Sequence, residues 1–310
     1  MGYLLWLQSI RSDTLNVILM GVTDFITSPV MYLGLAILYW CYSKKAAYYI
    51  AMNLSVGSMV NQALKNTFCV YRPWIRNPKI KPYPKAIESA TGYSFPSGHT
   101  QVGASEFLSI AVLQKKRRWL VVLCVTMTLL VMFTRNYLGV HTPEDVIVSL
   151  AVSMCVIFIS GRLLNWVDGA RGRDLAVFAV GMLLCAAFLA YITLKSYPID
   201  YNADGAVLVP SSEMITDCYA AAGCVIGFLC GWICERRFVD FSTDVSGKIK
   251  AYRAIPCSLG LLVIALFARD PMQSVHMYWG ELAFFAVTFF YILYICPMIF
   301  TKIERARKNA

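Results

Sequence analysis

Nine apolar stretches recur along this chain of 310 residues, each close to the roughly 20 residues that a helix needs to cross a bilayer. Such a chain has few folds open to it, because backbone hydrogen bonds inside lipid must be satisfied within each helix. We therefore predict an all-α, polytopic transmembrane bundle of about nine spans. The predicted spans are 27–43, 46–65, 98–114, 119–135, 143–163, 175–195, 214–234, 253–269 and 278–299.

The composition supports a membrane protein over the soluble alternatives. Hydrophobic residues make up 58% of the chain and charged residues 15%, whereas soluble domains are about a quarter charged. Disorder is excluded because it requires low hydrophobicity. The net charge of +10 would suggest nucleic-acid binding in a soluble protein, but with charge so sparse we expect no nucleic-acid partner. Eleven Cys without a CxxC pair indicate helix packing and neither a disulfide framework nor a thiolate metal site.

The pattern divides the chain into three predicted segments. Residues 1–26 are predicted as an interfacial N-terminal segment, because the apolar stretch at 3–11 is too short to span and is typical of an interfacial helix. Residues 27–195 are predicted as a six-helix membrane core. Residues 196–310 are predicted as a C-terminal extension of three membrane helices with a basic tail.

The distribution of Lys and Arg predicts the orientation. Of 28 such residues, 18 fall on one side of the predicted membrane and ten on the other. The positive-inside rule makes the richer side cytoplasmic, so the N-terminus is expected outside and the C-terminus in the cytoplasm. Seven of the ten outside bases cluster at 65–85 and at Arg135, against that rule. The cluster indicates either headgroup contact or a site for an anion.

Three short motifs fall at membrane ends on this outer side, and two of the chain's three His lie in them. Topology alone brings the motifs to one level of the bilayer. They read Lys65-NTFCVY-Arg72-Pro73, then Phe95-Pro96-Ser97-Gly98-His99-Thr100, and finally Thr134-Arg135-NYLGV-His141-Thr142-Pro143-Glu144-Asp145.

Cations and a helix start in these motifs indicate phosphate binding. Ser97 is placed to cap a helix, which leaves the N–H groups of Gly98 and His99 able to face an anion. Fixed cations without acidic neighbours are costly unless an anion accompanies them. Three cations are suited to phosphoryl oxygens, namely the planar forks of Arg72 and Arg135 and the point charge of Lys65.

The third motif also offers a nucleophile. His141 precedes a helix start at Thr142-Pro143-Glu144-Asp145, and Asp145 can turn back to hold one ring nitrogen. The other nitrogen is then unprotonated, as in an oriented nucleophile or base. His99 can protonate a leaving oxygen. The set supplies the positioning, charge neutralisation, nucleophile and acid that phosphoryl transfer needs, so no metal or other cofactor is expected.

In order and spacing, the motifs resemble the signature of the type 2 phosphatidic acid phosphatase superfamily. That family includes lipid phosphate phosphatases, undecaprenyl diphosphate phosphatases, glucose-6-phosphatase and vanadium haloperoxidases. Its pattern is Lys, six residues, Arg-Pro; then Pro-Ser-Gly-His; then Ser-Arg, five residues, His, three residues, Asp. Thr134 departs from it, because the family usually has Ser there, but a hydroxyl is kept. The resemblance covers 65–145 well, and the last three spans lie outside the minimal family core.

The resemblance implies an enzyme, a phosphatase that works through a phosphohistidine. His141 would be the nucleophile, Asp145 would orient it, and His99 would protonate the leaving group. The substrate would be a membrane lipid that carries a phosphomonoester or a diphosphate, and homo-oligomerisation is left open. The phosphoryl oxygens would be bound by Lys65, Arg72, Ser97, Gly98 and Arg135, with no metal.

The resemblance also implies a location. The run from Tyr137 to His141 is similar to that of bacterial members, and the loops are compact, which favours a bacterial cytoplasmic membrane. The active site would lie on the extracytoplasmic face.

Other functions stay open from the sequence. A nine-span layout with an outside N-terminus is similar to that of glucose-6-phosphatase, so a soluble sugar phosphate is an alternative substrate. A second alternative is a phospholipid transporter or binding protein that catalyses no reaction. The complete set of nucleophile, orienting acid and proton donor argues against it. A peroxidase is a third, through family kinship, although a membrane-embedded site suits a lipid better.

Overall fold

The computed structural model describes residues 1–202 and 204–309, and its regular elements are helices, which confirms the all-α prediction. Ala203 and Ala310 lie outside the described residues, as does the side chain of Lys308 in the predicted basic tail. The helices are α1 (Gly2–Ser9), α2 (Asp13–Ile26), α3 (Pro29–Cys41), α4 (Lys44–Phe68), α5 (Pro73–Arg76), α6 (Pro84–Glu88), α7 (Gly98–Leu113), α8 (Arg118–Tyr137), α9 (Pro143–Asp168), α10 (Arg173–Leu194), α11 (Ser211–Cys234), α12 (Gly247–Phe267), α13 (Arg269–Val275), α14 (Met277–Phe290) and α15 (Cys296–Asn309), with π-helical turns at Glu235–Val239 and Tyr291–Ile295.

Seven helical segments of the described chain are long and apolar enough to cross a membrane. The predicted count of nine is not confirmed, because the predicted spans 46–65 and 98–114 are not among them. The helix over the first, α4, begins with two lysines and carries several asparagines. The helix over the second, α7, has 16 residues, fewer than a spanning helix needs. The seven segments are Asp13–Cys41, Arg118–Tyr137, Pro143–Asp168, Arg173–Leu194, Ser211–Val239, Gly247–Phe267 and Met277–Arg307.

The first of these segments begins earlier than predicted, at Asp13 instead of residue 27. Helix α2 starts there because Ser12 caps it, accepting a hydrogen bond from the backbone N–H of Leu15. This helix lies in the segment 1–26 that was predicted to be interfacial. The short helix predicted near 3–11 forms as α1.

The helices assemble into two compact units. The first comprises Met1–Met31, Val56–Ile159 and Leu194–Asp217, and the second comprises Tyr32–Ser55, Ser160–Thr193 and Cys218–Ala310. Each unit draws on more than one of the predicted segments 1–26, 27–195 and 196–310, and that division stays a prediction.

The first unit is organised around α8. Helices α7, α1 and α2 all pack against it. Arg11 donates from Nε to the carbonyl oxygen of Tyr137 at 2.7 Å and from Nη1 to that of Lys81, which ties the loop after α5 to the end of α8. The apolar core beneath these contacts consists of Leu4, Leu7, Leu19, Met20, Ile80, Ala86, Ala90, Tyr137, Leu138 and Val140.

In the second unit, glycines let α11 approach α14 closely. Gly223, Gly227 and Gly231 recur every four residues, so they share one face of the helix. A Cβ atom at Gly223 would lie 2.3 Å from the carbonyl oxygen of Leu282, and one at Gly227 would lie 2.4 Å from that of Ala286. Small residues at such spacing are typical of helix pairs packed within membranes.

Candidate active site

The first turn of α7 is anchored by the serine of the second motif. Ser97 is the N-cap residue, and its side chain accepts a hydrogen bond from the backbone N–H of Thr100 at 3.4 Å. Its carbonyl oxygen accepts one from the hydroxyl of Ser149 on α9 at 2.7 Å. Ser97 is fully buried, and both its hydroxyl and its carbonyl oxygen accept hydrogen bonds. These contacts fix the positions of Gly98 and His99 at the N-terminus of the helix.

The turn between α8 and α9 sets the position of His141. Gly139 adopts a φ of +77°, a left-handed conformation that favours glycine. A side chain there would also meet Arg11, whose Nη2 would lie 2.5 Å from the added Cβ. The backbone N–H of His141 donates to the carbonyl oxygen of Arg135 at 3.2 Å, and the amide of Asn136 donates to the His141 carbonyl oxygen at 2.9 Å. The tight turn therefore fixes the backbone of His141 on both sides.

Asp145 lies against the His141 ring, in the first turn of α9. Its Oδ2 is 3.3 Å from Nδ1 of His141. The same oxygen accepts hydrogen bonds from the hydroxyl of Ser94 at 2.5 Å and from the backbone N–H of Thr142 at 2.8 Å. Both His141 and Asp145 are buried, so these donors hold the carboxylate and, through it, the imidazole in one orientation.

Arg72 holds the other side of the ring. Its Nη1 donates to Nε2 of His141 at 2.9 Å, while its Nε donates to the carbonyl oxygen of Gly92 at 3.0 Å and its Nη2 to that of Thr91. Because a guanidinium can only donate, Nε2 is the acceptor and Nδ1 carries the ring proton towards Asp145. The contacts assign His141 as a neutral imidazole with Nε2 facing the cation.

The electrostatics agree with that protonation state. Burial lowers the pKa of His141 below its ordinary value, and the positive charge of Arg72 lowers it further, against the opposing effect of Asp145. Burial also lowers the pKa of Arg72, to about 10, which leaves the guanidinium charged near neutral pH. The pair is therefore a neutral imidazole beside a permanent cation.

Arg135 is the most unusual cation of the site, because it is fully buried without a polar partner. Its relative exposure is 0%, and none of its three guanidinium nitrogens has a hydrogen-bond partner among the described residues. It lies close enough to Arg72 for the two charges to interact. Two neighbouring cations, one of them buried and unpaired, are costly unless an anion binds between them.

The three motifs meet at one small cavity of about 190 Å³. Five of the eight predicted site residues line it, together with an aspartate of α11. The other three, Ser97, Arg135 and Asp145, are buried and are not among its described lining residues. The lining residues of chemical interest are Lys65, Arg72, Gly98, His99, His141 and Asp217.

Two residues of this site were not singled out from the sequence. Ser94 donates to Asp145, but a serine three positions before Ser97 carries no signal of that contact. Asp217 comes from α11, outside the three motifs, and no spacing in the sequence connects it with them. Only the packing of chain-distant segments reveals either one.

Two family models match the chain. The model of the PAP2 superfamily matches residues 44–168, which contain all three motifs. A second model, described as the transmembrane extension of PAP2 superfamily phosphatases, matches residues 219–308. With the seven apolar helices, the second match shows an integral membrane protein.

Curated relatives match parts of the chain. An undecaprenyl-diphosphatase of Sulfolobus acidocaldarius is 25% identical over 122 residues, which are 39% of this chain and 56% of that protein. Phosphatidylglycerophosphatase B of Escherichia coli K12 is 32% identical over 84 residues, which are 26% of this chain and 33% of that protein. The chain thus spans about half or less of the length of these relatives. No solved structure matches the chain.

Proposed function

This chain belongs to the PAP2 superfamily, and we propose that it is an integral-membrane, metal-independent phosphatase that acts on a lipid phosphomonoester or lipid diphosphate through a phosphohistidine. The observation that carries the proposal is the His141 ring, held between Asp145 and Arg72 at the wall of a cation-lined cavity. By name, the two relatives are a diphosphatase and a phosphatidylglycerophosphatase, which supports a phosphorylated lipid as substrate.

The first chemical step forms the phosphohistidine. The lone pair on Nε2 of His141 attacks phosphorus, and the bond from phosphorus to the leaving oxygen breaks. His99, which lines the same cavity, gives its proton to that oxygen. Asp145 accepts the Nδ1 proton in a hydrogen bond and stabilises the charge that the imidazole gains.

The second step returns the enzyme to its starting state. His99, now neutral, takes a proton from water, and the water oxygen forms a bond to phosphorus. The bond between Nε2 and phosphorus breaks, inorganic phosphate leaves, and His141 is again neutral. Both steps need one histidine with a fixed tautomer and a second one that can gain and lose a proton.

The positive charge needed in both steps comes from the chain itself. Arg72, Lys65 and Arg135 neutralise the phosphoryl oxygens, and the N–H groups at the start of α7 add hydrogen bonds. Since Arg72 also donates to Nε2 of His141, an incoming phosphoryl oxygen takes over that donor and leaves Nε2 able to attack. The proposed reaction therefore uses side-chain cations, and not a metal ion, to neutralise the phosphoryl oxygens.

We further propose that the site faces the extracytoplasmic side of a bacterial cytoplasmic membrane. The Lys and Arg distribution over the nine predicted spans supports this orientation, since that layout puts the site's cations on the side with fewer bases. A lipid phosphate at that interface can enter the cavity with its headgroup while its tails stay in the bilayer.

The test is phosphate release by purified protein in detergent with EDTA present. We expect turnover of at least one of phosphatidic acid, phosphatidylglycerophosphate, a sphingoid phosphate and a polyprenyl phosphate, with none of glucose 6-phosphate. Turnover of glucose 6-phosphate alone would support the sugar-phosphate alternative. Binding without turnover of any of these compounds would support a transporter or binding protein.

A further inference from the structure

Asp217 brings a negative charge into a cavity built for phosphate. It lies on the first turns of α11, between the two stretches that match the family models. Among the described residues that line the cavity, it is the one carboxylate, beside Lys65, Arg72 and two histidines. Its charge acts on Arg72, where it opposes the lowering of the guanidinium pKa by burial.

The segment before α11 is packed so that Asp217 stays at the cavity. The hydroxyl of Tyr71, the neighbour of Arg72, donates a hydrogen bond to Asp200. Tyr93 packs with Val209 and Met214 in a buried cluster. A Cβ atom at Gly92 would lie 2.2 Å from the sulfur of Met214, so the backbone that accepts a hydrogen bond from Arg72 touches the start of α11 directly.

A carboxylate here opposes the binding of an anion, so its effect depends on how much negative charge the substrate carries. The phosphoryl group of a monoester places its oxygens on the cations. A diphosphate carries a second phosphate, which has to be accommodated in or next to a cavity of about 190 Å³ whose wall includes Asp217. Like charges a few ångströms apart repel strongly when partly shielded from water.

We propose that Asp217 is a specificity-determining residue that disfavours a second phosphate and makes this phosphatase act on lipid phosphomonoesters in preference to lipid diphosphates. The inference rests on the proposed function, which includes both lipid phosphomonoesters and lipid diphosphates, and it selects the phosphomonoesters as the preferred class. It also assigns to α11 a direct part in substrate choice.

The test uses two substrates with the same tail, farnesyl monophosphate and farnesyl diphosphate, and compares initial kcat/KM values. We expect the wild type to favour the monophosphate. Asp217→Asn keeps the size of the side chain and removes its charge, and it should shift the ratio towards the diphosphate by about tenfold. Asp217→Glu restores the charge and should keep the wild-type preference. Glu213→Gln is the matched control, because Glu213 is an exposed carboxylate one helical turn before Asp217 on α11 and is not among the described lining residues.

The outcomes separate the two ideas. No phosphate release from either compound, or from any other phosphorylated lipid, would overturn the proposed function. Turnover of both compounds with the same ratio in wild type and Asp217→Asn would overturn the inference alone. An equal loss on both substrates in Asp217→Asn would also overturn it, because Asp217 would then only position Arg72.

Discussion

The guanidinium of Arg72 donates a hydrogen bond to Nε2 of His141 across 2.9 Å, so the proposed nucleophilic atom is paired with a cation before substrate binds. On the opposite side of the ring, Asp145 receives the Nδ1 proton. The ring is thus held by a donor and an acceptor, which selects one tautomer of a neutral imidazole. A phosphoryl group that recruits Arg72 releases Nε2 at the same moment, which links substrate binding to nucleophile activation.

Removing the carboxylate that orients His141 should slow the chemical step. We expect Asp145→Asn to lower kcat by about 10³- to 10⁴-fold with little change in KM, because the amide can present an N–H to Nδ1 and select the wrong tautomer. Ser94→Ala should give a smaller loss of about tenfold, since Asp145 keeps its hydrogen bonds to His141 and Thr142. Steady-state phosphate release checks both. A raised KM with unchanged kcat in Asp145→Asn would contradict the orienting role.

The unpaired Arg135 should lower the thermal stability of the ligand-free protein and at the same time raise its catalytic efficiency. We expect Arg135→Met to lower kcat/KM by about 10²- to 10³-fold and to leave the Tm of the ligand-free protein unchanged or raised, because a buried charge without a partner is removed. Vanadate, a phosphate mimic, should raise the Tm of the wild type and not that of the variant. Thermal unfolding in detergent measures both effects.

Arg253 provides the matched control for that experiment. It is also buried, but its Nε and Nη2 contact the two carboxylate oxygens of Glu304 at 2.7 and 2.8 Å. Arg253→Met leaves that carboxylate without its partner and should destabilise the protein by about 3–5 kcal/mol. Equal Tm losses in the two variants would show that Arg135 is a structural residue and would count against an anion site.

The protonation state of His141 predicts a pH dependence of stability. Its folded-state pKa is lowered by burial and by Arg72, so the unfolded chain binds more protons than the folded one once the pH falls below the unfolded value of about 6.5. The free energy of unfolding should therefore decrease as the pH falls through that value towards the lower folded pKa. His141→Gln lacks this contribution, so its Tm should drop less than that of the wild type between pH 7.5 and pH 5. An equal drop would argue that His141 is not held neutral.

Several parts of the site were predictable because they depend on local sequence. A serine before Gly98 at an apolar stretch predicts a helix cap, and the structure begins α7 there. The spacing of four between His141 and Asp145 places them on one side of a helix start, and the two side chains contact each other. The contacts of Ser94 and Asp217 join segments far apart in the chain, and no local pattern indicates them.

The fold was predictable in class and less so in detail. Apolar length predicted helices throughout, but it placed the first span at 27–43, because the polar residues of α2 hid a helix that begins at Asp13. The two predicted spans that are absent from the seven apolar segments, 46–65 and 98–114, end or begin at motif residues. Helices that carry the polar residues of a site are less apolar for that reason, so their hydropathy is a weak indicator of a membrane span.

The central claim is that His141 becomes covalently phosphorylated during turnover. The most direct test is to mix the purified protein with a lipid that carries a ³²P-labelled phosphoryl group, stop the reaction in alkaline denaturant, which preserves phosphohistidine, and map the label by mass spectrometry. We predict label on the peptide that contains His141 in the wild type, and neither label nor phosphate release in His141→Ala. Phosphate release without any labelled histidine, or turnover that survives His141→Ala, would contradict the account.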